Sequence, residues 1–303
     1  MIETSIVIPS YRRPEQLARA IASCVAQQGV AGPYEIVVVD NDAEGSARPV
    51  VEAMAQVSAV PIRYIAETRP GISHARNTGV ANVTGRYLAF LNDDEEADPG
   101  WLAAFLATIR GCAADAVIGP VYPRFPAGAP GIDAYRRKVF TRDAGLPTGT
   151  TLPRWSGIGN TLLDRERCFV TDQPFDPRLG LSGGEDTVFL RQMFRRGCKI
   201  VWCAEAAAWE TVAVDKLATR FLLRRAFRGG QTTTFVCTAI EPPQPGRAAG
   251  WMAVGCAQVV LYAPAALILR ALRRERWLPV MVKAVGGLGK VFWHPKLHLN
   301  LYR

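Results

Sequence analysis

The sequence predicts a doubly wound α/β protein with a mainly parallel sheet, helices on both faces of that sheet, and a C-terminal helical appendage. Three observations lead to this prediction. Short apolar runs alternate with amphipathic helical segments through the first 120 residues. Several of these apolar runs stop abruptly at polar residues. The last third of the chain has a different composition, because it is strongly basic and contains long apolar stretches.

The predicted strands lie at residues 5–8, 35–40, 62–65 and 87–91. The runs at 5–8 and 87–91 are mostly apolar and the run within 35–40 is β-branched, which is typical of strands buried on both faces of a parallel sheet. The segments between them carry apolar residues at helical spacing. In a doubly wound sheet of this kind, ligands bind at the carboxyl ends of the strands.

Carboxylates follow two of these predicted strands. Strand 35–40 ends in Asp40 and Asn41, and strand 87–91 is followed by the acidic run Asp93, Asp94, Glu95 and Glu96. Like charges at a strand end repel each other, and a divalent cation held by oxygen ligands would offset them. The alternative is a solvated acidic turn that complements the dipole of the helix predicted to begin near residue 101. The position of polar groups at two strand ends favours a ligand site.

The second half of the sequence contains a long loop and a second acidic pair. Residues 120–153 are rich in proline and glycine, which indicates a functional or mobile loop, with a short basic helix predicted at 135–139. Glu185 and Asp186 follow the glycine pair Gly183-Gly184 and precede an apolar helix face. This pattern places both carboxylates in the first turn of a helix, where dipole complementarity alone would also explain them.

The charge of the chain is concentrated in its last third. Residues 1–215 carry 22 basic and 25 acidic residues, a net charge of −3, whereas residues 216–303 carry 14 basic and 2 acidic residues, a net charge of +12. Such a cationic module binds the phosphates of nucleic acid, anionic lipid or nucleotide. The chain contains no motif that reads RNA or DNA, so we expect no nucleic-acid partner.

Residues 248–269 form an apolar run close to the roughly 20 residues that span a bilayer. Basic residues flank both ends of this run, which disfavours a simple crossing under the positive-inside bias. We therefore expect interfacial or re-entrant helices that are anchored by Trp251, Trp277 and Trp293. A helical hairpin packed on the catalytic domain is the alternative. Seven scattered cysteines and the absence of a secretory leader predict a reducing, cytosolic compartment.

The motifs taken together resemble the family 2 glycosyltransferases of GT-A fold. The resemblance covers about residues 3–235 and is carried by the motifs at 8–12, 37–41, 71–77, 90–95, 157–160 and 184–186. Each motif is short, but their order and spacing are specific. The resemblance implies a GT-A catalytic domain at 1–235, with a nucleotide-sugar half at about 1–119 and an acceptor half at about 120–235. A helical membrane-associating region would follow at 236–303.

The resemblance also implies roles for individual residues. Tyr11 would stack on the base, and Asp94 would be the main carboxylate ligand of a Mn²⁺ or Mg²⁺ ion, with Asp93 at the ribose or the metal. Asp186 would be the catalytic base, with Glu185 as the next candidate. The remaining residues assigned to the nucleotide-sugar are Pro9, Arg13, Asp40, Asn41, Arg76 and Asn160, and we add Arg225 and Arg228 as arginines that would close over the diphosphate.

Two departures from the family pattern bear on these roles. Many relatives place a metal-binding histidine where this chain has the sequence Ala208-Trp209-Glu210-Thr211, and we expect Glu210 to replace it as an oxygen ligand. The QxxRW motif of processive synthases is missing, because Arg196 follows Gln192-Met-Phe-Arg195. We therefore expect the transfer of one sugar per encounter.

The expected function is that of an inverting, metal-dependent glycosyltransferase at the cytoplasmic face of the membrane. Its partners would be a nucleoside-diphosphate sugar, a glycan or lipid-linked acceptor and an anionic membrane surface, in the synthesis of cell-surface polysaccharide or glycolipid. A sugar nucleotidyltransferase is one alternative, but it should carry a glycine-rich phosphate loop where this chain has Pro9-Ser10-Tyr11-Arg12. A catalytically inactive nucleotide-binding adaptor at the membrane is the other, and the presence of Asp94 and Asp186 speaks against it.

Overall fold

The computed structural model describes residues 1–129 and 132–297. The chain divides into two compact units. The first unit comprises Met1–Arg124, Arg137–Gly180 and Glu185–Val212. The second comprises the described parts of Phe125–Arg136, the short segment Leu181–Gly184, and the chain from Ala213 onward. The division predicted at residue 235 therefore falls inside the second unit.

The first unit contains a seven-stranded sheet. Its strands are β1 (Thr4–Ser10), β2 (Tyr34–Asp40), β3 (Ile62–Ala66), β4 (Tyr87–Phe90), β6 (Ala116–Ile118), β8 (Thr161–Asp164) and β9 (Ile200–Trp202), in the order β3-β2-β1-β4-β8-β6-β9. Neighbouring strands are parallel except that β8 runs antiparallel to both β4 and β6. A smaller sheet has the order β5-β10-β7 and contains β5 (Glu95–Ala97), β7 (Val121–Arg124) and β10 (Ala208–Thr211).

Helices lie on both faces of the larger sheet. They are α1 (Pro14–Val25), α2 (Arg48–Val57), α3 (Ile72–Asn82), α4 (Trp101–Gly111), α6 (Arg165–Cys168) and α7 (Glu185–Arg195), while α5 (Ala134–Phe140) begins in the second unit. Alternate residues of β1 enter different apolar clusters, because Ile6 and Ile8 join one cluster and Val7 joins the other. The strand is apolar throughout because both of its faces are covered.

The second unit is built mainly from three helices, α8 (Thr219–Ala239), α9 (Pro245–Ala271) and α10 (Trp277–Val291). Glycines allow their backbones to approach closely. A Cβ on Gly230 of α8 would overlap the carbonyl of Gly286, and a Cβ on Gly289 would overlap the carbonyl of Phe227. The helix α8 runs unbroken through Gly229 and Gly230, and the glycine at 230 serves close helix packing.

The predicted fold class is confirmed, including the mainly parallel sheet, the helices on both faces and the helical C-terminal appendage. The short basic helix predicted at 135–139 is α5. The apolar run predicted at 248–269 lies within α9, which is long and apolar enough to cross a membrane as judged by length and composition.

Candidate active site

The order of the strands creates a switch point between β1 and β4. The chain passes from β1 to β2 and β3 on one side and then returns to place β4 on the other side of β1. Ser10 at the end of β1 pairs with Asp40 of β2, and Val7 pairs with Phe90 of β4. The carboxyl ends of these strands therefore share one edge, and in α/β sheets ligands bind at such a point.

Asp93 and Asp94 follow β4 at this edge and share a cation from the segment after β1. The Nη1 atom of Arg13 lies 3.0 Å from Asp93 Oδ1 and 3.0 Å from Asp94 Oδ2. Asp93 also accepts hydrogen bonds from Ser10 Oγ (3.2 Å) and from the backbone N–H of Tyr11 (3.3 Å). Burial raises the pKa of Asp93 to about 6, and the charge of Asp94 adds to the effect while Arg13 opposes it.

These two carboxylates fit a divalent cation. They offer adjacent hard oxygen donors, and Arg13 lies 3.0 Å from each of them. Within the described residues, no group of three or more His, Cys, Asp or Glu side chains is placed to hold a metal ion. The pair Asp93 and Asp94 suits Mg²⁺ or Mn²⁺, since such ions are often held by one or two carboxylates together with water and substrate phosphates.

The other two carboxylates of the acidic run, Glu95 and Glu96, both pair with arginines. Glu95 is fully buried and accepts hydrogen bonds from the backbone and side-chain nitrogens of Asn92 (3.1 and 2.9 Å). Arg142 pairs with Glu95 at 2.5 Å and with Glu210 at 3.2 Å. Our expectation that Glu210 replaces a metal-binding histidine is therefore not supported, because an arginine already lies between the two glutamates and supplies their counter-charge.

Asp40 and Asn41 use their side chains inside the fold. The Asp40 carboxylate accepts hydrogen bonds from the backbone N–H of Ala47 (2.8 Å) and from the Tyr64 hydroxyl (3.1 Å). The Asn41 side chain bonds to the carbonyls of Glu67 and Arg69 and to the backbone N–H of Gly71. Both residues thus fix the loops after β2 and β3. This geometry gives no support to their predicted direct contact with the base.

Three further residues predicted at the nucleotide-sugar, Tyr11, Pro9 and Asn160, differ in how far they are exposed. The Tyr11 side chain is 42% exposed, with the Arg12 guanidinium 5.2 Å from its ring centre, so its ring is available for stacking. Pro9 is buried within β1. Asn160 is also buried, and its amide donates to two backbone carbonyls while its oxygen accepts from Trp101 Nε1 at 2.6 Å. The Asn160 side chain therefore joins segments of the fold, and its contact with the donor stays a prediction.

Arg76 and Glu185 form a buried ion pair that joins α3 to α7. Arg76 was predicted near the diphosphate and Glu185 as the second choice of base. The Arg76 guanidinium also lies 5.7 Å from the ring centre of Phe175. Asp186 stands outside this pair, is partly exposed, and accepts a 2.6 Å hydrogen bond from the backbone N–H of Thr187. Of the two carboxylates, Asp186 is thus the one that solvent and ligands can reach.

Arg225 and Arg228 lie one turn apart on α8 in the second unit. The Arg228 Nε–H donates to the carbonyl oxygen of Ser182, which belongs to the same unit. Their expected role at the diphosphate stays a prediction.

Glu67 directly follows β3 at the same edge of the sheet and was not predicted as a functional residue. The hydrogen bond from Arg69 lowers the pKa of Glu67 to about 2, and Thr78 also donates to this carboxylate. Glu67 thereby ties the loop after β3 to α3. A carboxylate that follows an apolar run was the signal that identified Asp40 and Asp93, so the same rule would have found Glu67.

The raised pKa of Asp93 predicts a stability that depends on pH. Because the ionised form is disfavoured in the folded state, the contribution of Asp93 to stability falls as pH rises from about 4 through about 6. We expect Asp93→Asn to be more stable than wild type at pH 7 by about 1–3 kcal/mol, with the difference shrinking near pH 4. Urea unfolding of both proteins between pH 4 and pH 7, without divalent cations, measures this difference in stability. The control is Asp172→Asn, which changes an exposed aspartate. A difference that does not change with pH would contradict the prediction.

The family model described as glycosyl transferase family 2 matches residues 5–169. The succinoglycan biosynthesis protein ExoM of Rhizobium meliloti is 36% identical over 239 residues, which cover 76% of this chain and 74% of that protein. The glycosyltransferase AglE of Haloferax volcanii is 28% identical over 43% of each chain.

Solved structures show the same fold at low sequence identity. TarS of S. aureus (residues 1–349, in complex with UDP) superposes with a TM-score of 0.52 at 15% identity, covering 96% of this chain and 90% of that one. GalNAc-T7 with UDP, GalNAc and Mn²⁺ gives a TM-score of 0.54 at 17% identity, covering 75% and 51%. Since the family model spans more than half of the sequence and ExoM is similar over most of both chains, the chain belongs to glycosyl transferase family 2.

Proposed function

We propose that this glycosyltransferase moves one sugar at a time from a nucleoside-diphosphate sugar to an acceptor hydroxyl, with inversion, in the synthesis of a cell-surface polysaccharide or glycolipid. The observation that supports this most is the pair Asp93–Asp94 at the switch point between β1 and β4, facing Arg13. A diphosphate leaving group carries negative charge, and Arg13 together with a divalent cation on these carboxylates would balance it. The exposed ring of Tyr11 would receive the base by stacking.

A divalent cation bound at Asp94 and Asp93 would supply Lewis-acid stabilisation of the leaving diphosphate. The protein's own contribution is to orient the donor and to remove a proton from the acceptor. An acceptor hydroxyl is a poor nucleophile unless a positioned carboxylate takes its proton as it attacks, and we assign this role to Asp186. Attack from the face opposite the leaving group is a single displacement, which inverts the anomeric configuration.

The related protein ExoM takes part in succinoglycan biosynthesis, which supports a polysaccharide or its lipid-linked precursor as the product here. A uridine nucleotide is the first donor to test, because the similar folds of TarS and GalNAc-T7 were solved with UDP. The experiment is a screen of UDP-, GDP- and dTDP-sugars for nucleoside diphosphate release, with bacterial lipid extract as acceptor and with Mn²⁺ or chelator. NMR of the product anomer then tests inversion, and retention would exclude a single displacement. Pyrophosphate release from UTP and a sugar phosphate would instead identify a nucleotidyltransferase.

A membrane surface is the proposed partner of the second unit. Only 11% of the most apolar 18-residue window of α9 is buried. One side of α9 is exposed and carries no polar side chain over five turns. This apolar stripe consists of Ala253, Val254, Cys256, Ala257, Val260, Leu261, Pro264, Leu267, Ile268, Ala271 and Leu272. A continuous apolar helix face of this length is typical of a lipid-binding surface.

Arginines lie at the end of the apolar stripe. Arg270, Arg273, Arg274 and Arg276 are exposed and make no salt bridge within the part of the chain that the structure describes. Arg270 lies over the ring of Trp277, with 5.1 Å between the guanidinium carbon and the ring centre. An aromatic ring and unpaired guanidinium groups suit the headgroup region of an anionic leaflet. We propose that α9 lies in this interface rather than crossing it.

The opposite side of α9 supports an interfacial position. Gln258, halfway along the helix, accepts a 2.8 Å hydrogen bond from Lys290 of α10. A crossing helix would carry this amide and ammonium group to the centre of the bilayer, where charge is costly. The seven cysteines, all within the described residues, form no disulfide, which is consistent with the proposed cytoplasmic face.

Two sets of variants are expected to separate the apolar and electrostatic parts of membrane binding. Changing Leu261, Leu267 and Ile268 to Ser should abolish the salt-resistant binding to vesicles, because the area removed from water is lost. Changing the four arginines to Gln should weaken binding to phosphatidylglycerol vesicles by about 1 kcal/mol per residue and leave phosphatidylcholine binding unchanged. Co-sedimentation at low and high salt measures both.

The matched control for the apolar set is Val57→Ser, which changes an 87% exposed valine on the first unit. If the wild-type protein binds neither phosphatidylglycerol nor phosphatidylcholine vesicles at low salt, the proposed membrane surface is wrong.

A further inference from the structure

A four-residue loop of the second unit ends two residues before the proposed base. This base loop is Leu181–Gly184, and both of its neighbours along the chain belong to the first unit. Before it, the carbonyl of Gly180 accepts a 3.0 Å hydrogen bond from the backbone N–H of Ile72. After it, Glu185 begins α7 and forms the buried ion pair with Arg76. The base loop is therefore a short connection between two fixed points.

Within the second unit, α8 holds the base loop. Arg228 Nε–H donates to the carbonyl of Ser182. A Cβ on Gly183 would overlap the Arg228 guanidinium, and a Cβ on Gly184 would lie 2.7 Å from Thr232 Cγ2. Both glycines have left-handed φ angles, +70° and +99°, which other residues rarely adopt. Arg228 and Thr232 are one helical turn apart, so one face of α8 contacts the last three residues of the loop, Ser182–Gly184.

We propose that Arg228 and Thr232 are positioning residues for Asp186, which they control by fixing the base loop against α8. This inference rests on the proposed function, because it takes Asp186 as the base. The base must lie within hydrogen-bond reach of the acceptor hydroxyl, and a displacement of about 1 Å can cost about 10²-fold in rate. Loss of the Arg228–Ser182 hydrogen bond releases a loop that ends only two residues from that carboxylate.

The same helix belongs to the unit that carries the apolar stripe, since α8 packs against both α9 and α10. The unit that we propose to bind the membrane thus also holds the loop before the base. Binding of the second unit to lipid should consequently reduce the motion of the base loop, so that the base is held best when a lipid-linked acceptor is within reach.

Hydrogen exchange on the full-length protein tests the contact without any substrate. Arg228→Gln and Arg228→Lys should raise the amide exchange rate in peptides covering 181–186 by roughly several-fold, because the free energy of local opening is lowered. Peptides from 72–82 should not change. Arg224→Gln, an exposed arginine one turn away on α8, is the matched control. Phosphatidylglycerol vesicles should slow exchange in 181–184 of wild type. Equal exchange in wild type and Arg228→Gln would overturn the proposal.

Kinetics then separate positioning from donor binding. With the UDP-sugar that turns over fastest in the screen above, Arg228→Gln should lower kcat by about 10–100-fold and leave the donor KM unchanged. Thr232→Ala should act in the same direction with a smaller loss. A raised donor KM at unchanged kcat would assign Arg228 to the diphosphate instead and overturn the proposal.

A double-mutant cycle tests whether Arg228 acts through Asp186. When Asp186→Asn is already present, adding Arg228→Gln should cause no further loss of rate, because the base that it positions is absent. Independent, multiplicative losses would show that Arg228 does not act through Asp186. A wild-type rate in Asp186→Asn alone would instead reject the proposed function, and the exchange experiment would still report whether Arg228 holds the loop.

Discussion

Replacing Asp186 by Asn is expected to lower kcat by about 10²–10⁴, the range that general base catalysis contributes, with donor affinity nearly unchanged. The amide keeps the size of the side chain and its hydrogen bond from the N–H of Thr187, but it cannot accept the acceptor's proton. Steady-state turnover of the UDP-sugar and acceptor found in the screen gives kcat, and calorimetry with UDP gives the affinity. A rate within a few-fold of wild type would move the role of base elsewhere.

Glu185→Gln is the informative comparison for this result, because the two carboxylates are adjacent and differ in their surroundings. Glu185 is buried against Arg76, and its loss leaves a buried guanidinium without its counter-charge. We therefore expect Glu185→Gln to lower the free energy of unfolding by about 3 kcal/mol, which urea denaturation would show. Asp186→Asn should leave stability almost unchanged. A stable Glu185→Gln variant with a greater loss of kcat than Asp186→Asn would reverse the assignment.

The fold and the sheet edge of the candidate site could be predicted from the sequence, because both depend on local patterns of apolar and polar residues. Strands buried on both faces read as continuous apolar runs, and the polar residue that ends each run marks the carboxyl edge of the sheet. Asp40, Asp93 and Asp94 were found in this way, and the structure places each at a strand end.

Which of these polar groups remain available to a ligand could not be predicted, because this depends on partners distant in sequence. Asp40 is bound to Tyr64, Asn160 to Trp101, and Glu210 to Arg142. Each partner lies 24 or more residues away along the chain. A polar residue in a family motif can thus be kept for the fold as well as for chemistry, and a single sequence does not separate the two.

The division between the units is a second feature that local patterns do not reveal. Composition changes after about residue 215, but α8 and the base loop join the second unit through packing. The responsible contacts are close approaches of glycine, at Gly230 against α10 and at Gly183 and Gly184 against α8. In a sequence, glycines indicate a turn or a hinge as readily as close packing, so their role appears only when the facing element is known.

Replacing Asp94 by Asn is expected to abolish turnover stimulated by Mn²⁺ or Mg²⁺ and to weaken UDP binding in the presence of metal. The change removes the charge of one of the two carboxylates that fit the cation and that pair with Arg13. A neutral amide oxygen is a weaker ligand for a hard divalent ion. Calorimetric titration of UDP with and without Mn²⁺ measures the binding, and turnover in Mn²⁺ and in chelator measures the activity.

Glu96→Gln is the matched control for this variant, because Glu96 belongs to the same acidic run but pairs with Arg19 and Arg124. Its change removes the same charge within two residues of Asp94, so a general electrostatic effect would appear in both variants. We expect Glu96→Gln to keep its metal-stimulated activity within a few-fold of wild type, because exposed ion pairs contribute little. If Asp94→Asn retains wild-type activity in chelator, catalysis does not depend on a metal at this carboxylate, and cationic side chains such as Arg13 must balance the leaving diphosphate instead.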